Sequence, residues 1–161
     1  FMRIMGIDQS FTCTGVWIFD YECNETVYYC GIKSKNGDYI DNIERAEYIT
    51  SEIINIATSY VIDKVNIEGL SFGSNGQSTR DLGGLFFLII SNLRKNGFDE
   101  IDVISPKTLK KISTGNGNAS KDDMFDALPD GEQERINHFT TKKEREDLTD
   151  AYFLATYKEN E

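Results

Sequence analysis

The stretch MRIMGIDQSFTCTGVWIFDYECNETVYYCGI, residues 2–32, decides the fold. Residues 2–7 form a short apolar run that ends in Asp8, the pattern of a buried strand. After a loop at 9–14, residues 15–21 are rich in β-branched and aromatic side chains and predict a second strand. A polar turn at 22–25 leads into a third strand over 26–32. Connections this short join antiparallel neighbours, so the chain is expected to open on a three-stranded meander.

Downstream the period changes. Ile40, Ile43, Ala46, Ile49, Ile53, Ile56 and Ala57 recur at spacings of three and four, which predicts an amphipathic helix over 41–60. Residues 65–70 read as a strand with Glu68 near its end. Residues 78–96 read as a helix, with Ser78 and Asp81 as a capping pair and Gly97 as its stop. Its apolar surface, including Leu85, Phe86, Ile89 and Leu93, suits core and dimer contact alike. A short strand follows at 101–104, and Ser105 and Pro106 then open a helix as N-cap and first helical residue. Residues 114–119 are a loop rich in glycine and asparagine, and 120–128 a short helix with a Ser-x-x-Asp cap. Residues 132–143 are polar and carry no clear pattern. The last helix is expected over 146–157, with Leu148, Ala151, Tyr152, Leu154 and Ala155 on its apolar face.

A strand, helix and parallel strand must cross over right-handed and bury both strands. The expected fold class is therefore α/β: a mixed five-stranded sheet, three strands antiparallel and two parallel, with helices on both faces. No repeat or linker divides the 161 residues, so a single domain over 2–161 is expected, with Phe1 an addition to the native sequence.

The chain has 17 basic and 27 acidic side chains, a formal charge of −10, which argues against a non-specific nucleic-acid coat. Charge is unevenly spread. Residues 103–121 contain Lys107, Lys110, Lys111 and Lys121 and no acid, a basic stretch on an acidic body. No apolar run is long enough to span a bilayer, and residues 85–90 are the longest. No leader segment is evident, and Cys13, Cys23 and Cys30 show neither even number nor metal spacing. They read as thiols of a reducing compartment, so a cytoplasmic protein without membrane contact is expected. His138, the sole histidine, reads as a surface residue.

Four acids carry the chemistry. Asp8 and Glu68 sit at the ends of strands that would be parallel neighbours, so both can reach one sheet edge. Asp147 and Asp150 are three apart on the last helix and share a face. Each alone has an ordinary reading: a turn residue, a solvated strand-end acid, or an acid favoured near a helix start. Together they would repel one another unless cations neutralised them, and Mg²⁺ or Mn²⁺ prefers such oxygen ligands. Two such ions can hydrolyse a phosphodiester.

The segments carrying these acids resemble RuvC-type Holliday junction resolvases of the RNase H-like superfamily. Residues 4–15, IMGIDQSFTCTG, look like the family's opening strand and turn, and Ile67-Glu68 like its second catalytic acid. Residues 105–121, SPKTLKKISTGNGNASK, are similar to its lysine, Gly-x-Gly, lysine segment. Asp147-Leu-Thr-Asp150-Ala151 resembles its closing Asp-x-x-Asp-Ala helix, and the four pieces stand in the family's order. The resemblance implies a homodimer that makes paired nicks in branched DNA such as four-way junctions, using two Mg²⁺ or Mn²⁺ ions per site. Asp8, Glu68, Asp147 and Asp150 would hold the metals, and Lys121 would stand beside the scissile phosphate. Lys107, Lys110 and Lys111 would contact DNA, with Arg80, and Phe72 would be the aromatic that probes the junction centre.

Two departures stand out. Gln9-Ser10 replaces a small, glycine-containing turn, and 71–80 is a long polar loop. The divergence suggests a phage member of the family.

Other readings are an RNase H-like nuclease acting on RNA or hybrids, and a non-catalytic junction-binding scaffold. A scaffold usually loses one or more of the acids, and this chain keeps four. Residues 6–15 also resemble the phosphate loop of actin-like sugar kinases, which need two such domains around the nucleotide.

Overall fold

The computed structural model describes residues 2–71 and 76–158. Three strands open the chain: β1 (Arg3–Asp8), β2 (Cys13–Asp20) and β3 (Glu25–Lys33). Then come α1 (Asn42–Ser59), β4 (Lys64–Glu68), α2 (Gln77–Lys95) and β5 (Ile101–Ile104). Four helices close it: α3 (Pro106–Thr114), α4 (Lys121–Asp126), α5 (Asp130–Asn137) and α6 (Lys142–Ala155). The five strands form one sheet in the order β3-β2-β1-β4-β5. β1 pairs antiparallel with β2 and β2 with β3, while β4 runs parallel to both β1 and β5. This is the mixed sheet expected from the sequence.

Side-chain alternation along each strand divides the interior in two. Met5, Ile7, Val16, Ile18, Val65 and Ile67 pack with Ile49, Ile53, Leu85, Ile89 and Leu93 of α1 and α2. The apolar face of α2 is thus core. On the opposite face Trp17 packs with Leu109, Met124, Ile136, Leu148, Ala151 and Leu154, under α3 to α6. Gly6, Asp8, Gly15, Asn66 and Glu68 share the parity that faces α6 (β1 and β2 pair Asp8 with Gly15, and β1 and β4 pair Gly6 with Asn66).

The helix starts follow their caps. Asp41 accepts the amide of Glu44 to open α1, and Ser105 accepts that of Thr108 to open α3. Ser120 and Asp123 form a full capping box on α4. Gly115, at φ +83°, ends α3 in the left-handed conformation that glycine adopts without strain.

Three expectations need correction. The Ser78–Asp81 cap is not formed: α2 starts at Gln77 after Gly76, and the Asp81 carboxylate instead accepts from Asn42 Nδ2 and Gln77 Nε2. The unassigned 132–143 stretch contains most of α5, which Pro129 introduces and which buries Ile136. The last helix starts four residues early, at Lys142, because Thr141 supplies an N-cap that accepts from Glu144 N. Asp147 therefore lies in the second turn of α6, where no capping role explains it.

Candidate active site

The strand register decides where the acids meet. Ile7 of β1 aligns with Ile67 of β4, so Asp8 and Glu68, each one residue on, emerge side by side at the C-terminal edge of the sheet. α6 lies over that edge at unusually short range. A Cβ on Gly6 would stand 2.1 Å from the Ala151 carbonyl oxygen, and one on Gly15 would stand 2.5 Å from that of Asp147. These two glycines let the helix backbone rest on the sheet backbone. The buried Asn66 amide donates to the carbonyl of Leu154 at 2.8 Å and pins the far end of α6 to β4.

The outcome is a compact cluster in which carboxylate oxygens of Asp8, Glu68 and Asp150 all lie within 4.8 Å of one another. Asp147 stands beside the triad, and its two oxygens accept from Lys143 Nζ at 3.0 and 3.1 Å. Asp150 is only 1% exposed. Its Oδ2 is paired with the Lys121 ammonium, while its Oδ1 is buried with no hydrogen-bond partner among the described residues.

Electrostatics follow from that crowding. Burial, and then the charges of Glu68 and Asp150, push the Asp8 carboxyl well above the usual aspartate range. Burial and the Asp150 charge raise Glu68 likewise. Burial also raises Asp147 and Asp150, against the opposing pull of Lys143 and Lys121. Burial works against the charge on Lys121, but Asp150, Glu68 and Asp8 outweigh it and raise its pKa. The site attracts positive charge strongly, and three converging carboxylates could hold a cation.

Of the other residues singled out from the sequence, Lys110 joins the site. It lines a cleft of about 180 Å³ with Glu68, Lys121 and Asp150. Lys107 and Lys111 are exposed on α3, outside that cleft. Arg80 lines a different cavity, between α1 and α2, with Ile43 and Leu85. Phe72 lies outside the described residues. His138 is exposed, as expected.

The structure also adds residues that sequence reasoning passed over. Lys143 precedes Asp147 by four, a helical spacing that could have signalled the pair. Lys142, Arg145 and Phe125 line a cavity of about 280 Å³ on the flank of Lys121. No local pattern in the sequence announced Lys142, Arg145 or Phe125. Gln9, noted from the sequence only as part of an altered turn, is buried beside Asp8.

No protein-family model matches the chain. It is 26% identical over 127 residues to the crossover junction endodeoxyribonuclease RuvC of Ralstonia nicotianae, covering 79% of this chain and 70% of that protein. It is 27% identical over 126 residues to the RuvC of Ehrlichia chaffeensis, covering 76% and 78%. The structure of T. thermophilus RuvC in complex with Holliday junction substrate superimposes with a TM-score of 0.75 at 15% identity, over 96% of this chain and 90% of that one. This is the RuvC fold. The RuvC-like, RNase H-like architecture accounts for the sheet order, and it places the acid cluster where β1, β4 and α6 come together.

Among the described residues no helix is long and apolar enough to cross a membrane.

Proposed function

We propose that this protein is a metal-dependent endonuclease of the RuvC type, active on four-way junctions and other branched DNA. The observation that carries this reading is the convergence of Asp8, Glu68 and Asp150 within 4.8 Å at the end of a RuvC-like sheet. The sequence similarity to enzymes named crossover junction endodeoxyribonuclease supports the substrate.

The residues fit a hard divalent cation. All the donors are carboxylate oxygens, and the buried Asp150 Oδ1 has no hydrogen-bond partner among the described residues. In our reading Asp8, Glu68 and Asp150 hold two Mg²⁺ or Mn²⁺ ions together with Asp147, which Lys143 holds beside them. Bound there, the ions would lower the pKa of an attacking water and offset charge on the leaving oxygen.

The reaction is hydrolysis: water oxygen adds to phosphorus, one P–O ester bond breaks, and the departing sugar oxygen gains a proton. Lys121 reaches the triad through Asp150 and brings a fixed cation to the developing phosphorane charge. Lys110 faces the same cleft and would hold the DNA backbone. The overall charge of −10 does not oppose this, because the field that meets DNA is local. We read 2–161 as one nuclease domain that acts as a homodimer, since a symmetric junction requires two nicks.

The test is incubation with a synthetic four-way junction and a linear duplex of the same sequence, with Mg²⁺, Mn²⁺ or EDTA, alongside Asp8→Asn and Asp150→Asn. Metal-dependent paired nicking of the junction, lost in both variants, is the expected result. Cleavage of RNA–DNA hybrids in preference to junctions would transfer the site to another substrate. Junction binding without cleavage under either metal would leave only a scaffold.

A further inference from the structure

Gln9 follows Asp8 at the end of β1 and is only 6% exposed. Among the described residues neither Nε2 nor Oε1 of its side-chain amide has a hydrogen-bond partner. Buried polar groups are nearly always paired, so an amide buried with both ends free calls for an explanation. No described element uses it: the polar contacts of the adjoining loop run between Ser10, Cys13 and Thr14.

Gln9 lines a cleft of about 140 Å³ with Asp8, Glu68, Leu70, Ser71 and Leu82. The cleft of Lys110, Lys121 and Asp150 meets this one at Glu68 and Ser71. The acid cluster thus stands between two unlike spaces. One carries two lysines and suits the phosphodiester backbone. Among the described residues the other carries no cation, has Leu70 and Leu82 in its lining, and includes Gln9, whose buried amide has a donor and an acceptor. A phosphate gains nothing there. A nucleobase gains apolar contact for its faces and a matched pair of hydrogen bonds for one edge, the combination by which glutamine reads a base.

We propose that the Gln9 cleft receives the nucleobase adjoining the phosphate held at Asp8, Glu68 and Asp150, and that the Gln9 amide reads its edge. Cleavage then depends on the identity of that base. The inference rests on the nuclease reading above and adds a specificity-determining residue to it. The unpaired amide of the free protein is the counterpart of the pairing made with substrate.

The experiment has two readouts. The first is cleavage of a pool of four-way junctions randomised around the cut, with products sequenced, for the wild-type protein, Gln9→Leu and Gln9→Met. The wild type is expected to favour one base at a position next to the cut by about 5- to 150-fold, the range for one bidentate amide–base pair. Both variants are expected to flatten that position to within about 2-fold, since neither side chain can form the pair. The second readout is the melting temperature without metal or DNA. Gln9→Leu is expected to melt at or above the wild-type temperature, because an apolar side chain leaves no buried donor or acceptor unpaired. A wild type without base preference beside the cut, a preference that survives in both variants, or a lowered melting temperature in both would overturn the inference. If the wild type cuts no junction, the nuclease reading fails and this one with it. If it cuts without base dependence, only this one fails.

Discussion

Replacing Gly6 by alanine tests how the site is assembled. The new Cβ would lie 2.1 Å from Ala151 O, 2.6 Å from Ala155 N and 2.9 Å from Leu154 Cβ. Ordinary contact starts at 3.4 Å, so α6 must retreat by about 1.3 Å, the difference between 3.4 and 2.1. The obstacle is helix backbone, which cannot swing aside as a flexible side chain would. Overpacking of this kind costs about 1–3 kcal/mol. At ~2.1 cal/mol/K per residue for a chain of 161, that lowers the melting temperature by about 3–9 °C. The functional effect should be larger. Asp150 adjoins Ala151 and Asp8 lies two residues from Gly6, so the retreat opens the 4.8 Å cluster directly. A displacement of ~1 Å at a reacting centre costs on the order of 100-fold in rate. Calorimetry with and without Mg²⁺, together with single-turnover junction cleavage, reads both effects. Gly84→Ala on α2 is the control: among the described residues nothing lies within 4 Å of its Cβ, and it should gain up to about 1 kcal/mol with unchanged cleavage. Gly6→Ala melting within a degree of the parent and cutting at the parental rate would refute the close-approach argument.

Three further outcomes follow from the electrostatics. Asp8→Asn should raise the melting temperature in EDTA at neutral pH, because it removes a carboxyl whose ionisation burial and the charges of Glu68 and Asp150 oppose. Divalent cation should stabilise the parent more than this variant, and equal responses in calorimetry would count against Asp8 as a ligand. Lys121→Ala should cut junctions about 100- to 1,000-fold more slowly, the usual loss for one charge-stabilising group, with a much smaller change in junction affinity measured in EDTA. A loss confined to affinity would make Lys121 a backbone contact only. The third concerns Asp20, far from the site. Its carboxylate accepts from Arg3 Nε and from the amides of Glu22 and Cys23, with the Arg3 bond the main cause of its depressed pKa. A depressed carboxylate contributes stability above the ordinary value of 3.8 and loses it as pH falls through its lower folded value. Asp20→Asn should therefore be less stable than the parent near neutrality, and the two should converge in acid below pH 3.8. Parallel melting curves across that range would refute the assignment.

Much of this was legible along the chain because its causes are local. An apolar run marked β1, β-branched and aromatic side chains marked β2, a polar turn led into β3, the spacing of Ile49, Ile53 and Ala57 marked α1, and Ser105-Pro106 and Ser120-x-x-Asp123 marked the starts of α3 and α4. The acids Asp8, Glu68, Asp147 and Asp150 were recognisable from residue type, spacing and a family resemblance. Where local cues compete, the sequence misled. Ser78 and Asp81 have the form of a cap, yet Asn42 on another helix claims Asp81. The polar 132–143 stretch hid α5, whose formation buries Ile136 against the far face of the sheet.

The sequence by itself determined the elements, their order and the supply of carboxylates, since periodicity, caps and turn residues act within a few positions. Only the tertiary structure decided which acids meet. The triad depends on the alignment of Ile7 with Ile67, 60 positions apart, and on Gly6 and Gly15 admitting α6 to backbone contact. The same holds for the solitary burial of Gln9 and for the pairing of Lys121 with Asp150. Those relations are distances between parts of the chain remote in sequence, and they arise only once burial and hydrogen bonding have brought the layers together.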